Sequence, residues 1–142
     1  MILRIVLDTS VLAAGLRSRN GPNNAVLREI ALGKVIAIST PALFLEYEDV
    51  LKRPEHMAAH GLSVDEVDDF MAELAALIVP VDVQFQWRPQ LSDPDDEMVL
   101  EAAINGRADA IVTNNLKDFI GAAARFSLQV LSPVQMLKKV RK

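Results

Sequence analysis

The stretch Ile2-Leu3-Arg4-Ile5-Val6-Leu7-Asp8-Thr9-Ser10 decides how the rest of the chain is read. Residues 2–7 are largely apolar and show no in–out alternation, as expected of a strand covered on both faces in a parallel sheet. The run ends on a carboxylate, and a helix-like pattern follows at once. In open α/β sheets, ligands gather in the crevice outside the carboxyl ends of the strands. Asp8 is therefore a candidate site residue by position alone. Its competing role is to cap the following helix, for which Thr9 and Ser10 are equal candidates.

Three later runs of strand length, residues 35–39, 110–113 and 128–131, share that character. Helical spacing between and after them is strongest at 41–52, 63–77, 94–105 and 133–140. Strands alternating with helices in this order predict an α/β fold around a parallel sheet. Thr40-Pro41, Asp93-Pro94 and Ser132-Pro133 each set a capping side chain before a proline at the first helical position, where the missing N–H costs nothing. Ser63 and Glu66 have capping-box spacing, Gly61 separates that helix from the segment before it, and Gly106 closes the helix begun at Pro94. Residues 82–91 are open to two readings: Val81, Val83, Phe85 and Trp87 alternate with polar residues, as in a short edge strand or an extended linker.

The chain has 142 residues, 51% hydrophobic and 24% charged, which fits one globular domain over residues 1–142. A chain of that size buries about two-thirds of its unfolded surface. It contains no cysteine, which excludes disulfides, thiolate metal sites and a cysteine nucleophile. No stretch approaches the roughly 20 apolar residues of a spanning helix, and the opening run lacks a signal peptide's cleavage region. The expected setting is the cytoplasm, with no membrane partner. The net charge of −4 gives no compositional support for a nucleic-acid partner. Acids gathered in a metal site inflate the negative count, however, and leave basic residues free to line a rim.

Three acids fall at comparable structural positions. Asp8 ends the first strand, Glu46 lies about a turn and a half into the helix after the second, and Asp96 lies in the first turn of the helix begun at Pro94. In a parallel sheet, strand carboxyl ends and the amino ends of the following helices lie on one side, so residues distant in sequence converge there. Carboxylate oxygens suit Mg²⁺ or Mn²⁺, which keep several waters and are held by a few acids plus substrate phosphate. Each acid also has a structural role open to it. Glu46 reads as an exposed helix glutamate, and acids in the Ser92-Asp93-Pro94-Asp95-Asp96-Glu97 run complement a helix dipole, which best explains Asp93. Past Val112, Thr113 and Asn115 share the sheet edge with Asp8, but Asn115 and Asp118 are equally turn and cap residues.

Together, Ile5-Val6-Leu7-Asp8-Thr9-Ser10-Val11-Leu12, Ser39-Thr40-Pro41 leading to Glu46 and Val50-Leu51, Asp93-Pro94-Asp95-Asp96 with Leu100 and Ala103, and Ala108-Asp109-Ala110-Ile111-Val112-Thr113 resemble the PIN-domain family. Within it they look most like the toxin branch of bacterial and archaeal toxin–antitoxin pairs. The resemblance implies a three-layer α/β/α sandwich with a central parallel sheet and an endoribonuclease site that depends on Mg²⁺ or Mn²⁺. It makes Asp8, Glu46 and Asp96 the catalytic, metal-binding acids, with Thr9 or Ser10 and Thr113 close to the metal. The family often carries a further Asp where this chain has Asn115, so a four-acid, two-metal site is in question. Asp118, one helical turn on, is a candidate replacement, and Asp93 a further outer acid. Homodimers and a cognate antitoxin that lays a segment into a groove near the site are also implied.

Arg17, Arg19, Arg53 and Arg88 are rim candidates for RNA, against the plainer reading of scattered surface arginines. His56 and His60 are expected to be solvated surface residues, since the metal-assisted hydrolysis needs no histidine. Leu43, Tyr47, Leu51, Met57, Phe70, Met71 and Leu74 are either core or a surplus apolar surface for a partner. Two other functions compete. One is a PIN-like binding module without catalysis, motivated by Asn115. The other is a phosphoryl-transfer or receiver-like domain built around Asp8. Against the latter stand the lack of an acidic cluster beside Asp8, Ser10 where a phosphatase wants a second acid, and the absence of a Gly-rich phosphate loop.

Overall fold

The computed structural model describes residues 2–84, 91 and 93–141. Its strands are β1 (Arg4–Leu7), β2 (Ile36–Ser39), β3 (Val79–Pro80), β4 (Ala110–Val112) and β5 (Gln129–Leu131). They form one sheet in the order β3-β2-β1-β4-β5. Every pair is parallel, with Ile5 opposite Ala37, Val6 opposite Ile111, Ile38 opposite Val79 and Ile111 opposite Val130. The chain steps outward from β1 to β3, then crosses back to place β4 on β1's other side. The order therefore reverses between β1 and β4, and it is at such a switch point that a parallel sheet opens a crevice for ligands.

The helices are α1 (Thr9–Arg17), α2 (Pro22–Ala31), α3 (Pro41–Leu51), α4 (Pro54–His60), α5 (Val64–Leu77), α6 (Pro94–Asn105), α7 (Ile120–Arg125) and α8 (Pro133–Val140). They flank the sheet, as the α/β/α expectation requires: α1, α2 and α8 pack in series, and α6 lies against β1, β2 and β4. Ile5, Val6, Ile38, Leu100 and Ile111 are buried at the centre, which is why these strands lack alternation. The cap residues act as expected. Thr40, Ser63, Asp93 and Ser132 each accept a backbone N–H in the first turn, and the Ser63 and Ser132 boxes are complete.

Several elements differ from the sequence expectation. β3 was not anticipated, nor was α4, whose seven residues bury no side chain and so carry no apolar stripe. Pro54 starts α4, and Gly61 ends it at φ +73°, a left-handed position that glycine takes without strain. Of the 82–91 stretch, residues 82–84 have no regular structure, and residues 85–90, which include Phe85, Trp87 and Arg88, lie outside the described residues, as does Ser92. Leu43, Tyr47, Leu51, Met71 and Leu74 are buried, and Met57 and Phe70 pack against them, so these residues belong to the core rather than to a surplus surface. Among the described residues, no helix is long and apolar enough to cross a membrane.

Candidate active site

Asp8 sits where the β1 ladder stops. Its backbone N–H donates to the Val112 carbonyl of β4 at 2.9 Å, so the chain leaves the sheet exactly at the switch point. Although Asp8 holds the N-cap position of α1, its side chain makes no capping bond. The residue is 7% exposed, and its carboxylate instead accepts two hydroxyls on Oδ2: Ser10 Oγ at 2.8 Å and Thr113 Oγ1 at 2.7 Å. Hydrogen bonds of this kind to a charged group contribute about 1.5–3 kcal/mol each. Oδ1 takes part in neither. Behind it, the fully buried Tyr47 donates its hydroxyl to the Leu7 carbonyl at 2.6 Å. Burial first and the Asp8 charge second push the Tyr47 phenol well above its ordinary range, so it stays a neutral donor.

A cavity of about 230 Å³ opens in front of Asp8, lined by Thr9, Ser10, Glu46, His56 and Asp95 among others. Glu46 reaches it from α3 with its side chain largely buried, and its Oε1 has no hydrogen-bond partner among the described residues. Arg53 Nη2 lies 3.5 Å from that oxygen but spends its hydrogen bond on Asp49 Oδ2 at 2.8 Å. Burial raises the pKa of Glu46, Asp95 raises it further, and Arg53 acts in the opposite direction.

Asp96 is half-buried in the first turn of α6, and its pKa is pushed up to about 7, by burial first and then by Asp8, Asp93, Asp118 and Asp95. Successive residues on a helix point about 100° apart. Asp96 accordingly couples to Asp8, while Asp95 couples to Glu46 and lines the cavity. Asp93 is the α6 cap, as its sequence suggested, accepting from the Asp95 N–H at 2.9 Å. Asn115 is exposed; its backbone N–H donates to Thr113 Oγ1 at 2.9 Å. Asp118 ends a short 3₁₀ turn and acts on Asp96 through its charge.

Sequence reasoning passed over Asp95 and misplaced both histidines. His60 is half-buried, its Nε2 against the Leu51 carbonyl at 2.9 Å and its Nδ1 accepting from Leu62 N–H at 3.0 Å, so the end of α4 is tied to the end of α3 and to the connection that leads to α5. His56 lines the acidic cavity. Pro54 marks in the sequence where α4 starts, but the turn between α3 and α4 that brings His56 to the cavity has no local signal.

Among the described residues, no three His, Asp or Glu side chains are gathered closely enough to hold a metal ion as they stand. The donor set nonetheless fits a hard divalent cation. It consists of carboxylate and hydroxyl oxygens, it leaves Glu46 Oε1 without a hydrogen bond among the described residues, and it crowds acids whose repulsion a cation would relieve.

Fold and site together define a parallel α/β protein with an acid-lined cavity at its topological switch point. The sequence signature described as PIN domain matches residues 4–117, and the chain belongs to that family. A comparison with curated proteins gives no match. Among solved structures, the fold is similar to one of VapBC2 from Rickettsia felis bound to a DNA fragment from their promoter, with a TM-score of 0.62 at 12% identity over 92% of this chain and 98% of that one. It is also similar to the structure of FitAB bound to an IR36 DNA fragment, with a TM-score of 0.57 at 17% identity over 91% and 94%.

Proposed function

We propose that this chain is an endoribonuclease that depends on Mg²⁺ or Mn²⁺, and the toxin of a toxin–antitoxin pair. The observation that carries the reading is that Asp8, Glu46 and Asp95, from three separate elements, line one cavity at the switch point, with Asp96 next in sequence and coupled by charge to Asp8. Asp8, Glu46 and Asp96 would hold the ion, with Asp95 beside them. When bound, the metal would polarise a phosphoryl oxygen and help to orient water.

The chain's own residues supply the rest. Ser10 and Thr113 fix Asp8 through Oδ2. One carboxylate of the set serves as the base that takes a proton from the attacking water. The water oxygen bonds to phosphorus as the bond to the leaving sugar oxygen breaks, and that oxygen takes a proton from solvent. The VapBC2 and FitAB complexes support a cognate antitoxin as partner for this chain. We include a homodimer and the cytoplasm in the same reading.

Asn115 and the absence of a gathered three-ligand group among the described residues favour a second reading, a PIN-like module that binds RNA or protein without cutting. Purified protein incubated with RNA in Mg²⁺, Mn²⁺ or chelator separates the two. Cleavage that needs metal and drops at least about a hundredfold in Asp8→Asn and Asp96→Asn is expected from the loss of a metal ligand. Cleavage that survives both substitutions sinks the assigned site, and RNA binding without cleavage under any metal selects the module.

A further inference from the structure

Asn114 lies outside the set of acids and hydroxyls discussed so far, yet it touches one of them. Its side-chain Nδ2 donates to Asn23 Oδ1 at 2.8 Å and also approaches Ser10 Oγ at 3.4 Å, where its backbone N–H approaches too, again at 3.4 Å. A serine hydroxyl has one hydrogen and two lone pairs. With N–H groups of Asn114 directed at the lone pairs of Ser10 Oγ, the single hydroxyl hydrogen is left for Asp8 Oδ2. Thr113 is prepared in the same way: Asn115 N–H occupies a lone pair of Oγ1, and the hydrogen goes to the same Asp8 oxygen. The turn after β4 therefore presets both hydroxyls as donors onto Oδ2.

Asn23 is well placed to anchor this relay. It lies in the first turn of α2, and its neighbour Asn24 donates Nδ2 to the Gly15 carbonyl at 2.9 Å. Helices α1 and α2 meet closely there, since a Cβ on Gly15 would come within 2.8 Å of Leu27 Cδ1. The acceptor for Asn114 thus stands on a closely packed helix pair rather than on a loop.

We propose that Asn114 is a positioning residue for Asp8: held by Asn23, it aims the Ser10 hydroxyl at Oδ2 and so commits Oδ1 to a bound divalent cation. This inference rests on the reading of Asp8 as a cation ligand. It gives the β4 turn a role that needs no acid at position 115, because its amides organise one carboxylate instead of supplying another.

The test is calorimetric titration of Mn²⁺ alone into the full chain. The panel is the wild type, Asn114→Ala, Asn23→Ala, Ser10→Ala and the Ser10→Ala/Asn114→Ala double variant, each also melted in chelator. Asn114→Ala is expected to weaken Mn²⁺ binding about tenfold, the loss typical of an outer-shell partner. Asn23→Ala should shift it less in the same direction, and the double variant should lose no more than Ser10→Ala alone. Melting in chelator should stay close to wild type, because Asn114 is exposed.

Undiminished Mn²⁺ affinity in Asn114→Ala overturns the proposal, as do additive losses in the double variant or a melting defect that accounts for the weaker binding. A readout without metal keeps the two readings apart: the Asp8 side-chain carboxyl resonance, followed by NMR in chelator, should move in both Ser10→Ala and Asn114→Ala. If wild type binds no Mn²⁺, the cation reading fails, and that resonance still decides whether Asn114 positions Asp8.

Discussion

Tyr47 shows how one residue joins the core to the site. Its ring is fully buried between α3 and the sheet, with Phe44 edge-on at a centroid distance of 6.4 Å, and its hydroxyl is spent on the Leu7 carbonyl next to Asp8. Tyr47→Phe keeps the ring and leaves that carbonyl without its partner. A buried acceptor stripped in this way costs about 1–3 kcal/mol. Urea unfolding should show a lower midpoint with an unchanged slope, since the exposed area is the same. A variant as stable as wild type would mean that the Leu7 carbonyl finds another donor. Gly106 makes a complementary point about space: a Cβ there would overlap Ile38 Cδ1 and come within 2.9 Å of the Ala102 carbonyl and 3.0 Å of Val81 Cγ2. Position 106, read in the sequence as a helix stop, is also where the end of α6 packs against Ile38 of β2.

At the scale of elements, α8 is fixed by more than its apolar face. Its cap is the Ser132–Gln135 box, and just beyond its last turn Arg141 Nε donates to Glu29 Oε1 on α2 at 2.8 Å. Glu29 is 3% exposed, and among the described residues its Oε2 has only Lys34 Nζ, at 3.8 Å. Arg141→Ala should destabilise the chain by about 2–3 kcal/mol. That is less than the ~3–5 of a fully buried pair, because Arg141 is half exposed and Lys34 remains. Glu29→Gln in the same background should recover part of the loss; no recovery would place the cost in packing instead of charge.

What the sequence made legible follows the length of each element. β1 and β4 could be read because each is an apolar run with a cap or turn residue after it, and α6 because proline and glycine mark its ends. β3 could not: a two-residue strand ending in proline has no period, and its register is set by β2. The same limit applied to the site. Asp8 ends a strand, and Glu46 and Asp96 lie within the first two turns of helices that follow strands, positions that a parallel sheet brings to one side. The choice between Asp95 and Asp96 depends on helix phase, and His56 on the turn between α3 and α4; neither is encoded in local pattern.

For the molecule as a whole, the crowding of acids at the switch point sets how stability follows pH. The pKa of Asp96 is raised to about 7 from an ordinary 3.8, and that of Glu46 is raised as well. Between the unfolded and folded values, the folded chain holds a proton that the unfolded chain has released, so stability falls as pH rises. The contribution is fully present below about pH 4 and is lost as pH climbs through about 7. Asp96 is only half-buried, so water screens part of the effect and the slope is shallow. In chelator, the melting temperature should fall between about pH 5 and pH 8. Asp96→Asn should flatten that slope. Millimolar Mn²⁺ should restore stability at the alkaline end and do little at the acid end, because a cation that binds only the folded state stabilises it by mass action and must compete with protons for the same oxygens. A melting temperature that is level or rising across this range, or an equal slope in Asp96→Asn, would show that the acids are relaxed by solvent and are not held in mutual repulsion by the fold.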